Sequence, residues 1–439
     1  MIKTRREFLG NTLGATAAVA LASLKDDWLV RVARADVEAR GKSAGANAAN
    51  ESYWTHIQQA FDLDRSIINL NNGGCAPAPR FVLDAQRRHI EFTNIAPVRT
   101  LWSMMDPQCE QVRSKLAHAF GCSPDEMAIT RNASESLQIA LNGIDMKPGD
   151  EFLTTLQDYP RMITTLKQRK LREGIEFRQI KIPSPAKSQD ELFEAIEKAV
   201  TPRTKAILVC HTIFLNGQIM PVKRICAMAR ERGIWSVIDG AHAFAQFAFR
   251  GGDIGCDVYG VSLHKWLTAP IGTGFLYVRK DRIKDIWPMQ ASEHPKSDDI
   301  RKFEEIGTHP DAGKLAIAEA LLFYQGIGPE RKEARLRYLR DYWARRLMKN
   351  PKVKMHTSLE PEHSCAIGLV EIEGIEPAKI MDYLWEKHKI IVAIIKHDDF
   401  QGLRISANVY TTTQELDTFC EVMEKVAESG IPTAESAGK

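Results

Sequence analysis

Two apolar runs end on charged residues, and that pattern limits the folds open to this chain. Residues 234–238, Ile-Trp-Ser-Val-Ile, read as a buried strand that stops at Asp239. Residues 258–262, Val-Tyr-Gly-Val-Ser, read as a second strand that stops just before His264, Lys265 and Trp266. Open α/β sheets gather ligand-binding groups at the carboxyl ends of their strands. The spacing lets the second strand return to the edge that Asp239 occupies, so an acid and an amine meet there. From residue 69 to about residue 287 such strands alternate with amphipathic helices, for example 222–232 closed by Gly233. That alternation predicts an α/β fold with a mainly parallel sheet.

The residue types at that edge suit one chemistry. A lysine amine condenses with an aldehyde to a Schiff base, and burial favours the neutral amine that does so. A carboxylate beside a pyridine nitrogen keeps that nitrogen protonated, so the ring takes up the electron pair released at a substrate α-carbon. Lys265 and Asp239 therefore meet the needs of pyridoxal 5'-phosphate. His242 is spaced to donate to the phenolic oxygen, and Ser262 and His264 flank the lysine as phosphate ligands. Taken singly, each has a plain structural reading: Asp239 caps a turn, His242 is a satisfied polar residue, Lys265 is a solvated charge. Their combination points to the cofactor. Upstream, residues 128–137 read as a short strand, a turn and a helix start carrying Asn132, Ala133, Ser134 and Glu135. Free amides at a helix N-terminus bind phosphate, although Ser and Asn there are also ordinary caps.

The order Asp239-Gly240-Ala241-His242, then Ser262-Leu263-His264-Lys265, then Pro270-Ile271-Gly272-Thr273-Gly274-Phe275 resembles the class V aminotransferases, especially the isopenicillin N epimerase branch. The resemblance runs from about Asn69 to Tyr410. It implies the aspartate aminotransferase-like fold of pyridoxal phosphate transferases, with a small C-terminal α+β domain. It also implies that Asp239 pairs with the pyridine nitrogen, His242 contacts the phenolic oxygen and Lys265 forms the covalent link. Ala133, Ser134 and Glu135 become the phosphate cradle, and Tyr159 takes the position that stacks on the ring, where many relatives carry histidine. Arg404 matches the residue that grips the substrate carboxylate, since a guanidinium makes two parallel hydrogen bonds. Thr308 matches a loop residue reaching the phosphate of a partner subunit, which implies a homodimer. The chain departs from the family at Ile271, where several relatives have threonine, and at Phe214, where desulfurase-like relatives carry asparagine. Asn216 is a candidate substitute, and His211 stands open between pocket and core.

The expected activity is pyridoxal phosphate chemistry at the α-carbon of an amino acid or amino-acid-like amine, of aminotransferase or epimerase type. A C–S lyase or side-chain tailoring enzyme of the same family is the alternative; residues 390–402 hold no cysteine to accept sulfur, which disfavours a desulfurase. Residues 262–265 also fit the SxxK pattern of serine acyl-enzymes, whose SDN and KTG companions are absent. A non-catalytic binding protein would be expected to have lost Lys265 or Asp239, and both are present.

The amino terminus adds an address. Thr4-Arg5-Arg6-Glu7-Phe8-Leu9-Gly10 matches a twin-arginine export signal, followed by an apolar stretch at 12–24 too short to span a membrane. This predicts a signal peptide at 1–35 read by the twin-arginine machinery, a periplasmic or otherwise exported product, and a flexible leader at 36–52. A cofactor domain at 53–310 follows, its first segment packing on a small α+β domain at 311–439. Within the latter, helices are expected at 312–325 and 336–349, and a last helix opens at Thr412 with Glu415 as a capping box. With 439 residues, a net charge of +3 and a mean hydropathy of −0.27, the chain has room for a large core. It shows no basic block that would imply nucleic acid and no stable membrane anchor. Its eight cysteines include no CxxC pair, so neither a zinc site nor a disulfide scaffold is implied.

Overall fold

The computed structural model describes Val37 and residues 41–432; the expected signal peptide at 1–35 lies outside them. Seven strands make the central sheet: β1 (Met127–Thr130), β2 (Glu151–Thr155), β3 (Glu176–Ile180), β4 (Thr204–Cys210), β5 (Trp235–Asp239), β6 (Val258–Ser262) and β7 (Gly274–Val278). Their order is β1-β7-β6-β5-β4-β2-β3. β3, β2, β4, β5 and β6 run parallel, and β7 lies antiparallel between β6 and β1. A sheet covered on both faces buries its strands, and β2, β6 and β7 are buried at every residue, the polar Glu151 and Thr154 of β2 being paired with Arg178 and Asp158.

The crossovers use α1 (Ala133–Gly143), α2 (Pro160–Glu173) and α3 (Val222–Glu231). Asn132 starts α1, its Oδ1 accepting from the Glu135 N–H at 2.9 Å. α2 opens with Pro160 in its first turn and closes on Gly174 at φ 70°, the usual asymmetry of proline start and glycine stop. These terminations set Asp239, Ser262, Cys210 and the start of α1 along one sheet edge.

Beyond the large sheet, β8 (Val353–Met355), β9 (Ile367–Ile372), β10 (Ala393–Lys396) and β11 (Gln401–Ser406) form an antiparallel sheet in the order β10-β11-β9-β8. α4 (Pro329–Leu347) and α5 (Thr413–Ser429) pack with it to give a C-terminal α+β unit. α5 carries the capping box expected at Thr412 and Glu415, and Leu416, Phe419, Met423 and Val426 are its buried stripe. A parallel pairing of Ile68–Asn69 with Ile390–Ile391 stitches the early chain to this unit.

Two expectations change. The helix expected at 336–349 starts earlier, at Pro329, because Gly328 at φ 91° sets up a proline-led first turn. The segment expected to be a flexible leader is folded from Ser43 onward: Ser43 caps the helix Ala44–Ala48, and Asn47 and Ala48 are buried. Trp54 Nε1 donates to the Asn47 carbonyl at 2.8 Å, and Arg335 of α4 donates to the Ala48 carbonyl at 2.9 Å. Contacts with α4, far away in sequence, thus order a stretch whose composition looks loose. No helix among the described residues is long and apolar enough to cross a membrane.

Candidate active site

The carboxyl edge of the sheet opens into a cavity of about 200 Å³ lined by Asn132, Ala133, Ser134, Tyr159, Asp239, His242, Ser262, His264 and Lys265, with Gly74, Leu137, Met162, Cys210, Phe214 and Ala241 completing the wall. Each polar group arrives from a strand end or helix start, which is why residues far apart in sequence converge.

Asp239 ends β5 and is buried; its Oδ1 accepts from the Ala241 N–H at 3.0 Å. Burial pushes its carboxyl up to about 6, opposed by that hydrogen bond and by the charge of Lys265. Lys265 sits in the turn after β6, partly open to the cavity, with its Nζ 2.9 Å from His242 Nε2. Burial pulls the Lys265 ammonium down to about 8, with Asp239 acting in the other direction. Two desolvated groups of opposite charge therefore titrate much nearer neutrality than either would in water. His242 is held well below its ordinary value by burial and then by Lys265 and Arg404, so it is neutral and its Nε2 accepts from the lysine. Its Nδ1 is buried without a partner.

At the other wall, the Ala133 N–H donates to Ser262 Oγ at 3.0 Å, joining the start of α1 to the end of β6. Gly274 allows this approach: a Cβ there would come within 2.5 Å of the Val261 carbonyl and 2.7 Å of Asn132 Cα. The Ser134 N–H has no acceptor among the described residues. His264 Nδ1 is likewise buried and unpartnered. The Tyr159 ring, 38 % exposed, stands edge-on to Phe214 with centroids 5.3 Å apart.

Arg404 lies on β11 and is buried beside this cavity, though it is not part of the wall. Its Nη1 donates to the Phe214 carbonyl and its Nη2 to Asn71 Oδ1, both at 2.8 Å, leaving Nε buried and unpartnered. Burial lowers its guanidinium to about 10.

Other candidates fall elsewhere. Glu135 turns its carboxylate onto Arg131, at 2.7 Å from Nη2, and does not line the cavity. Thr308 is exposed in a bend outside this wall. Ile271 is 78 % exposed. Asn216 is no substitute for the family asparagine: its side chain is spent on Ser184 Oγ at 2.6 Å and the His356 carbonyl at 3.1 Å. His211 belongs to the core, its Nδ1 2.7 Å from the Tyr259 hydroxyl and its ring edge-on to Phe247 and Phe249.

Residues 68–419 match the family model described as Aminotransferase class-V. The chain belongs to that family. It is 29 % identical over 388 residues to the isopenicillin N epimerase of Streptomyces clavuligerus, a match covering 84 % of this chain and 98 % of that protein. It is 23 % identical over 411 residues to a probable cysteine desulfurase of Methanothermobacter thermautotrophicus, covering 85 % and 98 %. Among solved structures, the apo cysteine desulfurase of Thermococcus onnurineus superposes with a TM-score of 0.75 at 21 % identity, covering 85 % of this chain and 98 % of that one. The cystine C–S lyase C-DES, solved with its product cysteine persulfide, gives 0.72 at 20 % identity, covering 83 % and 98 %. These structural likenesses show the fold, the α/β arrangement of pyridoxal phosphate enzymes.

The cofactor of this class V chain is pyridoxal phosphate, and the cavity fits it on its own terms. His242 Nδ1 and His264 Nδ1 are buried and unpartnered polar atoms that call for a polar ligand, and the Ser134 N–H, half-buried on the same wall, has no acceptor among the described residues. Lys265 supplies the amine. Asn71, Asn72 and Gly74 were not among the expected site residues, and they bring the segment 71–74 against β11: Asn72 Nδ2 donates to the Ser406 carbonyl at 2.9 Å and the Gly73 N–H to Ser406 Oγ at 2.9 Å. Two asparagines followed by two glycines signal a turn held by side-chain hydrogen bonds, and that signal was present in the sequence.

Proposed function

We propose that the chain catalyses pyridoxal phosphate-dependent chemistry at the α-carbon of an amino acid or amino-acid-like amine, of aminotransferase or epimerase type. The observation that carries this is the meeting of Lys265 Nζ, His242 Nε2 and the buried Asp239 in one cavity with Arg404 beside it. When bound, the cofactor supplies an electron sink for the pair released at the α-carbon. Asp239 would hold the proton on the pyridine nitrogen, and His242 Nδ1 is available to the ring oxygen. The Ser134 amide, with Ser262 and His264, would hold the phosphate, and the Ala133 N–H would join them by leaving Ser262 Oγ. Tyr159 would cover the ring, and Leu137 and Met162 would exclude water. The Lys265 amine, near neutrality, is suited to take a proton from the α-carbon and return it. Arg404 would bind the substrate carboxylate by exchanging its present acceptors for it.

Elimination of the C–S lyase type is the second reading, favoured by the desulfurase and lyase similarities. The stretch from β10 to Arg404 carries no cysteine, so a sulfur-accepting role there is not supported. A panel of L- and D-amino acids and cysteine derivatives, followed by α-deuterium exchange and product identification, separates the two. Exchange without C–S cleavage supports the first reading, and sulfide or persulfide release supports the second.

The reading extends to assembly and location. Ile90, Ile95, Val98 and Trp102 are each more than half exposed, an apolar surface suited to a second copy of the chain. The Arg5-Arg6 motif supports export of the folded, cofactor-loaded protein through the twin-arginine pathway.

A further inference from the structure

Behind the cavity, a buried lysine does work that the chemistry does not account for. Lys332 of α4 is 2 % exposed and donates to the carbonyl of Trp266, the residue that follows Lys265. Among the described residues no carboxylate pairs with it, and the nearest aromatic face is Tyr324, with Nζ 5.5 Å from the ring centroid. An amine buried without a counter-ion is costly, and methionine of similar length would fill the space without that cost.

A second tie sits beside it. Gln246, also buried, donates through Nε2 to the His242 carbonyl and accepts at Oε1 from the Ala366 N–H at 2.9 Å, just ahead of β9. Cys365 Sγ lies 3.6 Å from the Gln246 carbonyl. Lys265 and His242 are thus each followed, within one to four residues, by an anchor to the C-terminal α+β unit.

Both anchored segments carry strain. Ala245 at φ 63° and Thr268 at φ 58° are two of only three non-glycine residues with positive φ among the described residues, and each lies three residues beyond His242 or Lys265. Such conformations cost of order 1 kcal/mol or more and persist only where the surroundings over-determine them. Trp266, fully buried, completes the frame by meeting the His242 ring edge-on at 6.5 Å.

We propose that Lys332 and Gln246 are positioning residues that set the Lys265–His242 contact from behind, by holding the Trp266 and His242 carbonyls against the C-terminal α+β unit. The proposal rests on Lys265 being the reacting amine. Neither residue lines the cavity, so each acts through the backbone of another.

The test uses full-length chains carrying Lys332→Met or Gln246→Leu. Amide hydrogen exchange is compared with the wild type, and cofactor capture is followed by visible absorbance after pyridoxal phosphate is added. Exchange should rise about tenfold or more in residues 240–247 and 263–270 while α5 and the β1–α1 region stay unchanged. Cofactor capture should slow by about tenfold in both variants, since a misplaced amine loses its near-attack geometry. Unchanged exchange in both segments, or an increase spread evenly over α4 and the sheet, would overturn the proposal. If Lys332→Met does not fold, Gln246→Leu decides by the same two readouts. A wild-type chain that captures no cofactor would remove the Lys265 reading on which the proposal rests, an outcome distinct from unchanged exchange in the variants.

Discussion

Asp239 and Lys265 set the residue scale, because burial outweighs their mutual attraction at both. The Asp239 carboxyl stands at about 6 against an ordinary 3.8, so between these values the folded chain holds more protons there than the unfolded one. Stability therefore falls as pH rises through that window, and the full cost remains above pH 6. For Lys265, lowered to about 8 from 10.5, the cost is full below pH 8 and is relieved as pH rises toward 10.5. Asp239→Asn keeps the acceptor for the Ala241 N–H and removes the buried charge. It should raise the stability of the cofactor-free chain by of order 2 kcal/mol at pH 7, the gain shrinking toward pH 4 in a series of thermal melts. The same substitution should slow α-deuterium exchange by about tenfold or more, with a smaller effect on substrate affinity, because an amide cannot keep the pyridine nitrogen protonated. Arg404→Lys should do the reverse. Its amine cannot reproduce the guanidinium fork, so amino-acid binding should weaken by about tenfold or more while cofactor absorbance persists. Equal losses of affinity in the two variants would refute this division of roles.

At the scale of elements, the turn from β5 into His242 depends on one missing side chain. A Cβ on Gly240 would lie 1.9 Å from the Tyr259 ring, and the His211 contact at the Tyr259 hydroxyl stops that ring from swinging away. Gly240→Ala should therefore cost about 3 kcal/mol or more by denaturant titration, at the upper end of overpacking effects. It should also weaken cofactor binding by displacing Asp239 and His242 together; retention of full stability would show that β6 yields more easily than its burial implies. Elements with local signals were legible in the sequence. The α5 capping box, the strands at 234–238 and 258–262 and the α1 start all rest on contacts within a few residues. The early start of α4 was not, because residues 329–335 carry no large apolar side chain and the helical stripe becomes visible only at Leu336.

For the whole molecule, two proposals go beyond the single chain. The exposed apolar side chains at Ile95 and Trp102 support a dimer, so Ile95→Glu with Trp102→Glu should give a monomer by sedimentation. If Thr308 reaches the partner's phosphate site, that monomer should also bind cofactor about tenfold more weakly than the wild type. A dimer that survives the double substitution would place the interface elsewhere. Export should fail when Arg5 and Arg6 are both replaced by lysine, leaving folded, cofactor-bound protein in the cytoplasm. Unchanged recovery outside the cytoplasm would remove the export reading without touching the enzyme.

Sequence by itself determined the strand ends, the acid and amine that close them and the helix start beside Ser262, because hydrophobic period and capping are written within a few neighbouring positions. Tertiary structure alone decided which of the candidates converge. It turned Glu135 onto Arg131, spent Asn216 on His356, placed His211 in the core beneath Tyr259 and folded the supposed leader on α4. It also brought Asn71 to Arg404 and Lys332 to the Trp266 carbonyl. Contacts between residues far apart in the chain leave no periodicity to read, and a lysine or asparagine looks the same in the sequence whether it ends in solvent or behind an active site.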